Sequence, residues 1–110
     1  MPSLALASLH PSLRLPAAAI EAFCRKWQIV RLEVFGSVLG EEFTARSDVD
    51  FLYTLSQGAR VGWEIGEMED ELARLIGRPV DLVSRTGIER SENWLRRAAI
   101  LDTAQVVYEA

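Results

Sequence analysis

Between residues 16 and 101 the apolar side chains switch repeatedly between a helical stripe and strand alternation, and few folds accommodate that rhythm in so short a chain. In P-A-A-A-I-E-A-F-C-R-K-W, Pro16 suits a first helical turn, and Ile20, Phe23, Cys24 and Trp27 fall at i, i+3, i+4 and i+7 on one face. I-V-R-L-E-V-F then alternates Val30, Leu32 and Val34 against Arg31, Glu33 and Phe35, which predicts a strand ended by Gly36-Ser37. Ser37 is placed to cap a short helix over V-L-G-E-E-F, which Gly40 weakens. D-V-D-F-L-Y-T-L reads as a second strand, followed by a loop at Gln57-Gly58. Residues 62–76 carry an amphipathic stripe of Ile65, Met68, Leu72, Leu75 and Ile76, with Glu64, Glu67, Glu71 and Arg74 outward. Gly77 and Pro79 stop that helix, and P-V-D-L-V-S is a third strand. A last helix is expected from Ser91 through Leu101, with Trp94, Leu95, Ala98 and Leu101 on one side; V-V-Y either extends it or forms an edge strand. The order α-β-α-β-α-β-α predicts a small α/β sandwich.

A chain of 110 residues suits one domain, expected over 16–110. Residues 1–15, with three serines and two prolines, read as an irregular leader. That leader has no basic n-region, and Ser3, Ser8 and His10 break its apolar run, so it does not read as a signal peptide. No window approaches a membrane span, and a cytoplasmic location is expected. Cys24 is the single cysteine, so no intramolecular disulfide can form, and its apolar helical setting suits a buried structural thiol. One histidine, His10, and one cysteine can build neither a common zinc motif nor a catalytic triad. The net charge of −4 gives no global attraction to nucleic acid, and no direct nucleic-acid binding is expected. Arg85, Arg90, Arg96 and Arg97 leave a local basic patch open, against the plainer reading of solvated helix faces.

The chemistry is concentrated in carboxylates. Asp48 and Asp50 are two residues apart at the start of a strand, where side chains two apart share a face, roughly 6–7 Å apart along the backbone. Taken alone, an Asp-x-Asp is an ordinary solvated strand start. Here it leads into Phe51-Leu52, so the pair sits on an apolar strand, where repulsion between the two charges favours a hard divalent cation such as Mg²⁺ or Mn²⁺. Asp81, in P-V-D-L-V, is again flanked by strand residues, and water at a strand end is its plainer explanation. If the strands bearing Asp50 and Asp81 are neighbours, three carboxylates converge as two-metal phosphoryl chemistry requires. Gly36-Ser37, otherwise a turn-and-cap pair, offers backbone N–H groups, a hydroxyl and a helix start to a phosphate.

F-G-S, nine residues, S-D-V-D-F and a later V-D-L together resemble the nucleotidyltransferase superfamily typified by DNA polymerase beta, and in particular its minimal prokaryotic members. The resemblance covers roughly residues 18–108. It implies the small palm-like α/β fold, a mixed sheet of three strands or slightly more flanked by helices. It also implies that Gly36 and Ser37 hold the β/γ phosphates, with Ser47 in the nucleotide-binding set, and that Asp48, Asp50 and Asp81 are catalytic and hold two Mg²⁺ ions. The reaction implied is transfer of AMP from ATP to a hydroxyl. Many relatives carry an Arg shortly after the Gly-Ser pair where this chain has Gly40; Arg46 is the candidate to compensate. Minimal members often act as antitoxins that adenylylate a tyrosine on a HEPN-type toxin, and this resemblance implies the same partner here. The acids Glu64, Glu67, Glu69, Asp70 and Glu71 would then face a basic partner, or simply solvent. The competing expectations are a degenerate module that neutralises its partner by contact, and transfer to a small molecule such as an aminoglycoside.

Overall fold

The computed structural model describes residues 15–36 and 47–110. Helix α1 (Ala17–Lys26) leads into strand β1 (Ile29–Phe35), and β2 (Val49–Leu55) is followed by α2 (Ile65–Ile76) and β3 (Val80–Ser84). The chain closes with α3 (Arg85–Glu89), α4 (Trp94–Leu101) and β4 (Gln105–Glu109). The four strands form one mixed sheet in the order β3-β2-β1-β4. Strand β1 is antiparallel to both β2 and β4, while β2 and β3 run parallel, so the chain must cross between them, and it does so through α2.

Alternation along the strands sorts side chains to two faces. Leu32, Val34, Val49, Phe51 and Leu82 point to one, where they pack with Ile20, Phe23 and Cys24 of α1 and Met68 and Leu72 of α2. Phe35 and Leu52 point to the other and pack against Ile88 of α3 and Ile100 of α4. The stripe on α2 is the one expected from sequence, and Gly77 ends the helix in the left-handed region at φ +73. Of the two readings of the C-terminal V-V-Y, the edge strand is the one formed, pairing with β1.

Two expectations are corrected, and one element was not foreseen. Trp94 and Leu95 lie on the exposed side of α4, 63% and 65% accessible, and the helix instead buries Ile100. Residues 85–89 form a short helix that five residues of sequence give too little period to reveal; Ser84 Oγ caps it by accepting from Gly87 N–H at 3.2 Å. The acids of α2 are not one free surface. Glu69 accepts a 2.7 Å bond from Leu82 N–H, covering part of the sheet edge, and Glu71 takes Lys26 Nζ at 2.6 Å. The proposed short helix over 38–43 lies outside the described residues.

The four arginines also part company. Arg85 Nη1 donates to both carboxylate oxygens of Glu33 at 2.8 Å, and its Nε lies 3.2 Å from Glu89. Glu33 is only 2% exposed, so this pair neutralises a charge buried within the sheet. Arg97 donates to the Ser91 carbonyl at 2.8 Å, leaving Arg90 and Arg96 exposed. Arg85 is thus neutralised within the fold, while Arg90, Arg96 and Arg97 carry no acidic partner in an ion pair among the described residues.

Candidate active site

Strand register brings the acids together. Asp50 of β2 is the register partner of Asp81 of β3, and on its other side it faces Phe35 at the end of β1. Neighbouring strands lie about 4.8 Å apart, and residues two apart on one strand lie about 6.6 Å apart. Asp50 is therefore central, with Asp81 across the ladder and Asp48 one pleat before it. Because Val49, Phe51 and Leu82 turn into the α1/α2 core, the alternate positions Asp50 and Asp81 turn to the opposite face, with Leu52. Asp48 and Asp81 are exposed and Asp50 is half-buried.

Burial pushes the Asp50 carboxyl above its ordinary value of 3.8, and the charges of Asp81 and Asp48 push in the same direction. Such an arrangement stores repulsion that a cation relieves. Gly36 shows how tightly the site is built. Its φ is +79, and a Cβ placed there would lie 2.5 Å from Asp50 Oδ2, so the carboxylate occupies the space a side chain would need. The Gly at the end of β1 thus serves the carboxylate directly, a contact that the sequence pattern did not reveal.

The starts of the two acid-bearing strands are also tied together. Val49 N–H donates to the Pro79 carbonyl at 2.9 Å, and Arg78 Nη1 reaches the Ser47 carbonyl at 3.4 Å, on the peptide just before Asp48. Arg78 was not singled out in the sequence, and no local signal marks it, because its contact lies 31 residues away. Ser37, Gly40 and Arg46 lie outside the described residues, so the Gly-Ser cradle is described only at Gly36.

The donor set is hard oxygen, suited to Mg²⁺. Among the described residues no three acidic, imidazole or thiol side chains already close around one ion-sized point. The three aspartates instead form a row with Asp50 at its centre, and these carboxylates would be the groups to hold a divalent cation. With Gly36 leaving room at Asp50, the residues present fit a divalent cation. Among the described residues no helix is long and apolar enough to cross a membrane.

Comparison with known proteins agrees with this geometry. The family model described as "Nucleotidyltransferase domain" matches residues 17–107. A solved structure of a minimal nucleotidyltransferase is 31% identical, with a TM-score of 0.60, over 80% of this chain and 85% of its own. A toxin–antitoxin crystal structure with AMP-PNP superposes with a TM-score of 0.65 at 18% identity, over 87% of this chain and 75% of that one. A toxin–antitoxin MntA–HpeT structure, a mutant with two Asp-to-Glu substitutions, gives a TM-score of 0.58 at 15% identity over the same shares. At these identities the two complexes show a shared fold. No curated protein matches the chain.

Proposed function

Since the chain belongs to the nucleotidyltransferase domain family, we propose that it moves AMP from ATP to a hydroxyl of a partner protein, a tyrosine of a HEPN-type toxin, and so acts as the antitoxin. The observation that carries the reading is the row Asp48, Asp50 and Asp81, with Asp50 raised in pKa by burial and its two neighbours and wedged against Gly36. The partner class draws support from fold similarity to two toxin–antitoxin structures, one of them with AMP-PNP. A cytoplasmic location belongs to the same proposal.

In this reading residues 16–110 are the catalytic domain and 1–15 a leader. Asp48, Asp50 and Asp81 would hold two Mg²⁺ ions, which would neutralise the triphosphate and stabilise charge on the attacking and leaving oxygens. Gly36, Ser37 and Ser47 hold the phosphates. The acceptor oxygen forms a bond to the α-phosphorus, the bond from that phosphorus to the β-phosphate oxygen breaks, and pyrophosphate leaves with its electron pair. Asp81, exposed on its edge strand, takes the proton of the acceptor hydroxyl. Arg78, at the Ser47 carbonyl, holds the segment that presents Asp48.

The test is intact-mass analysis of the protein encoded beside this chain, after incubation with it, ATP and Mg²⁺. A gain of whole AMP units, lost with Asp48→Asn/Asp50→Asn, is the expected result. An unmodified partner that is nonetheless silenced within a stable complex would replace transfer with neutralisation by contact.

A further inference from the structure

The far ends of β2 and β3, away from the aspartates, hold a feature that the transfer reaction does not use. A cavity of about 420 Å³ opens there, lined by the hydroxyl-bearing residues Tyr53, Ser56, Ser84 and Thr86, by Arg60 and by apolar positions that include Leu55 and Val61. Tyr53 and Ser84 are register partners, so two adjacent strands supply its floor. Tyr53 and Ser84 are three residues beyond Asp50 and Asp81, about 10 Å along each strand, and that odd spacing turns them to the other face of the sheet, so this is not the carboxylate site. Its volume falls within the range of small-molecule sites, roughly 300–1,000 Å³.

The lining has a definite chemical bias. On a chain of net charge −4, the one charged residue lining this cavity is a cation. Arg60 is exposed and makes no ion pair among the described residues, unlike nearby Arg85, which is held by Glu33 and Glu89. Ser84 Oγ already accepts from Gly87 N–H, so its own proton is left to donate outward. A guanidinium and several hydroxyls can all donate to one tetrahedral oxyanion, and the space left beyond it is walled by Leu55, Val61 and the Tyr53 ring. A second cavity of about 350 Å³ shares Ala59, Arg60 and Val61 with the first and brings in Trp27. Glu64 lines that second cavity, and its Oε2 accepts from Gly62 N–H at 2.9 Å.

We propose that this cavity binds a small phosphate-bearing molecule, with its phosphate on Arg60 and the surrounding hydroxyls and its body against Leu55, Val61 and Tyr53. The site goes beyond the transfer reaction and does not depend on it. The experiment is a ¹H–¹⁵N titration of the full chain in EDTA with inorganic phosphate, ribose 5-phosphate and AMP, following the amides of 59–61 and 84–86 and the indole N–H of Trp27. Saturable shifts confined to these residues are expected, stronger with the two organic phosphates than with phosphate alone. Arg60→Ala should weaken them at least about tenfold while leaving the rest of the spectrum unchanged, since Arg60 is exposed. Equal responses to phosphate and the organic phosphates would contradict the proposal, since they would remove the role of the apolar wall. Linear, unsaturable shifts, shifts that survive Arg60→Ala, or shifts confined to Gly36, Asp48 and Asp81 would overturn the proposal.

Discussion

Gly36→Ala separates what the fold needs at the end of β1 from what the carboxylates need. The backbone there has φ +79, where a residue with a Cβ costs about 1–2 kcal/mol relative to glycine. The new Cβ would also meet Asp50 Oδ2 at 2.5 Å, well inside contact distance. That oxygen ends a short, half-exposed side chain, so it can swing aside, and the steric part adds little to the loss of stability. At about 4–8 °C per kcal/mol for a domain of this size, the melting temperature should fall by roughly 4–16 °C, leaving a folded protein at room temperature. The swing removes Asp50 from its place between Asp48 and Asp81. Displacements of about 1 Å at a reacting centre can cost about 10²-fold, so transfer should fall by about that factor or more. Thermal unfolding followed by circular dichroism gives the first quantity, and the initial rate of AMP transfer at saturating Mg²⁺ gives the second. A variant that melts lower yet keeps transfer within a fewfold of the original would refute the idea that Gly36 exists to make room for Asp50.

Other expectations follow from the same contacts. Asp50 has a folded pKa above its unfolded one, so the folded state binds more protons between 3.8 and the raised value, and this group's contribution to stability declines as pH rises through that window. The metal-free protein should accordingly melt higher as Asp50→Asn at neutral pH, with a flatter acid-side pH profile, whereas the same change should abolish any Mg²⁺-dependent rise in melting temperature. Arg85→Ala leaves the buried Glu33 with only the longer Arg31 Nε contact at 3.5 Å and should cost about 3 kcal/mol in urea unfolding, while Glu33→Leu with Arg85→Met should be close to neutral. An equal loss in both variants would show that packing rather than charge governs the site. Burial pushes the Cys24 thiol up to about 12, so a thiol reagent at pH 8 should label the folded chain orders of magnitude more slowly than the urea-unfolded one. Comparable rates would contradict the packing of Cys24 in the α1 core.

Much of the architecture was legible because strong periods carry their own evidence. Strand β1 and helix α2 were read from alternation and stripe, and Gly77 from its place after the last apolar turn. Helix α4 was located, but its buried face was assigned wrongly. W-L-R-R-A-A-I-L has bulky residues all around, and which side is buried depends on contact between Ile100 and Phe35 and Leu52, on strands far away in sequence. The aspartates were legible as types and spacings, yet their convergence was conditional on β2 and β3 being neighbours, and no local pattern encodes strand order. Glu33–Arg85, Arg78–Ser47 and Glu69–Leu82 were invisible for the same reason, each joining residues 13 to 52 positions apart. Glu69 shows the limit of reading charge as surface, since it is held by Leu82 N–H, a partner the sequence does not announce, whereas Glu71 faces outward and pairs with the exposed Lys26.

The most direct test of nucleotidyl transfer is the fate of the ATP phosphates. With the partner protein, Mg²⁺ and ATP labelled at either the α- or the γ-phosphate, the account predicts that α label enters the partner while γ label leaves as pyrophosphate, and that neither happens with Asp48→Asn/Asp50→Asn. Entry of γ label would mean phosphoryl rather than nucleotidyl transfer, and α label incorporated equally by the double variant would mean that the row of aspartates is not the site of the reaction.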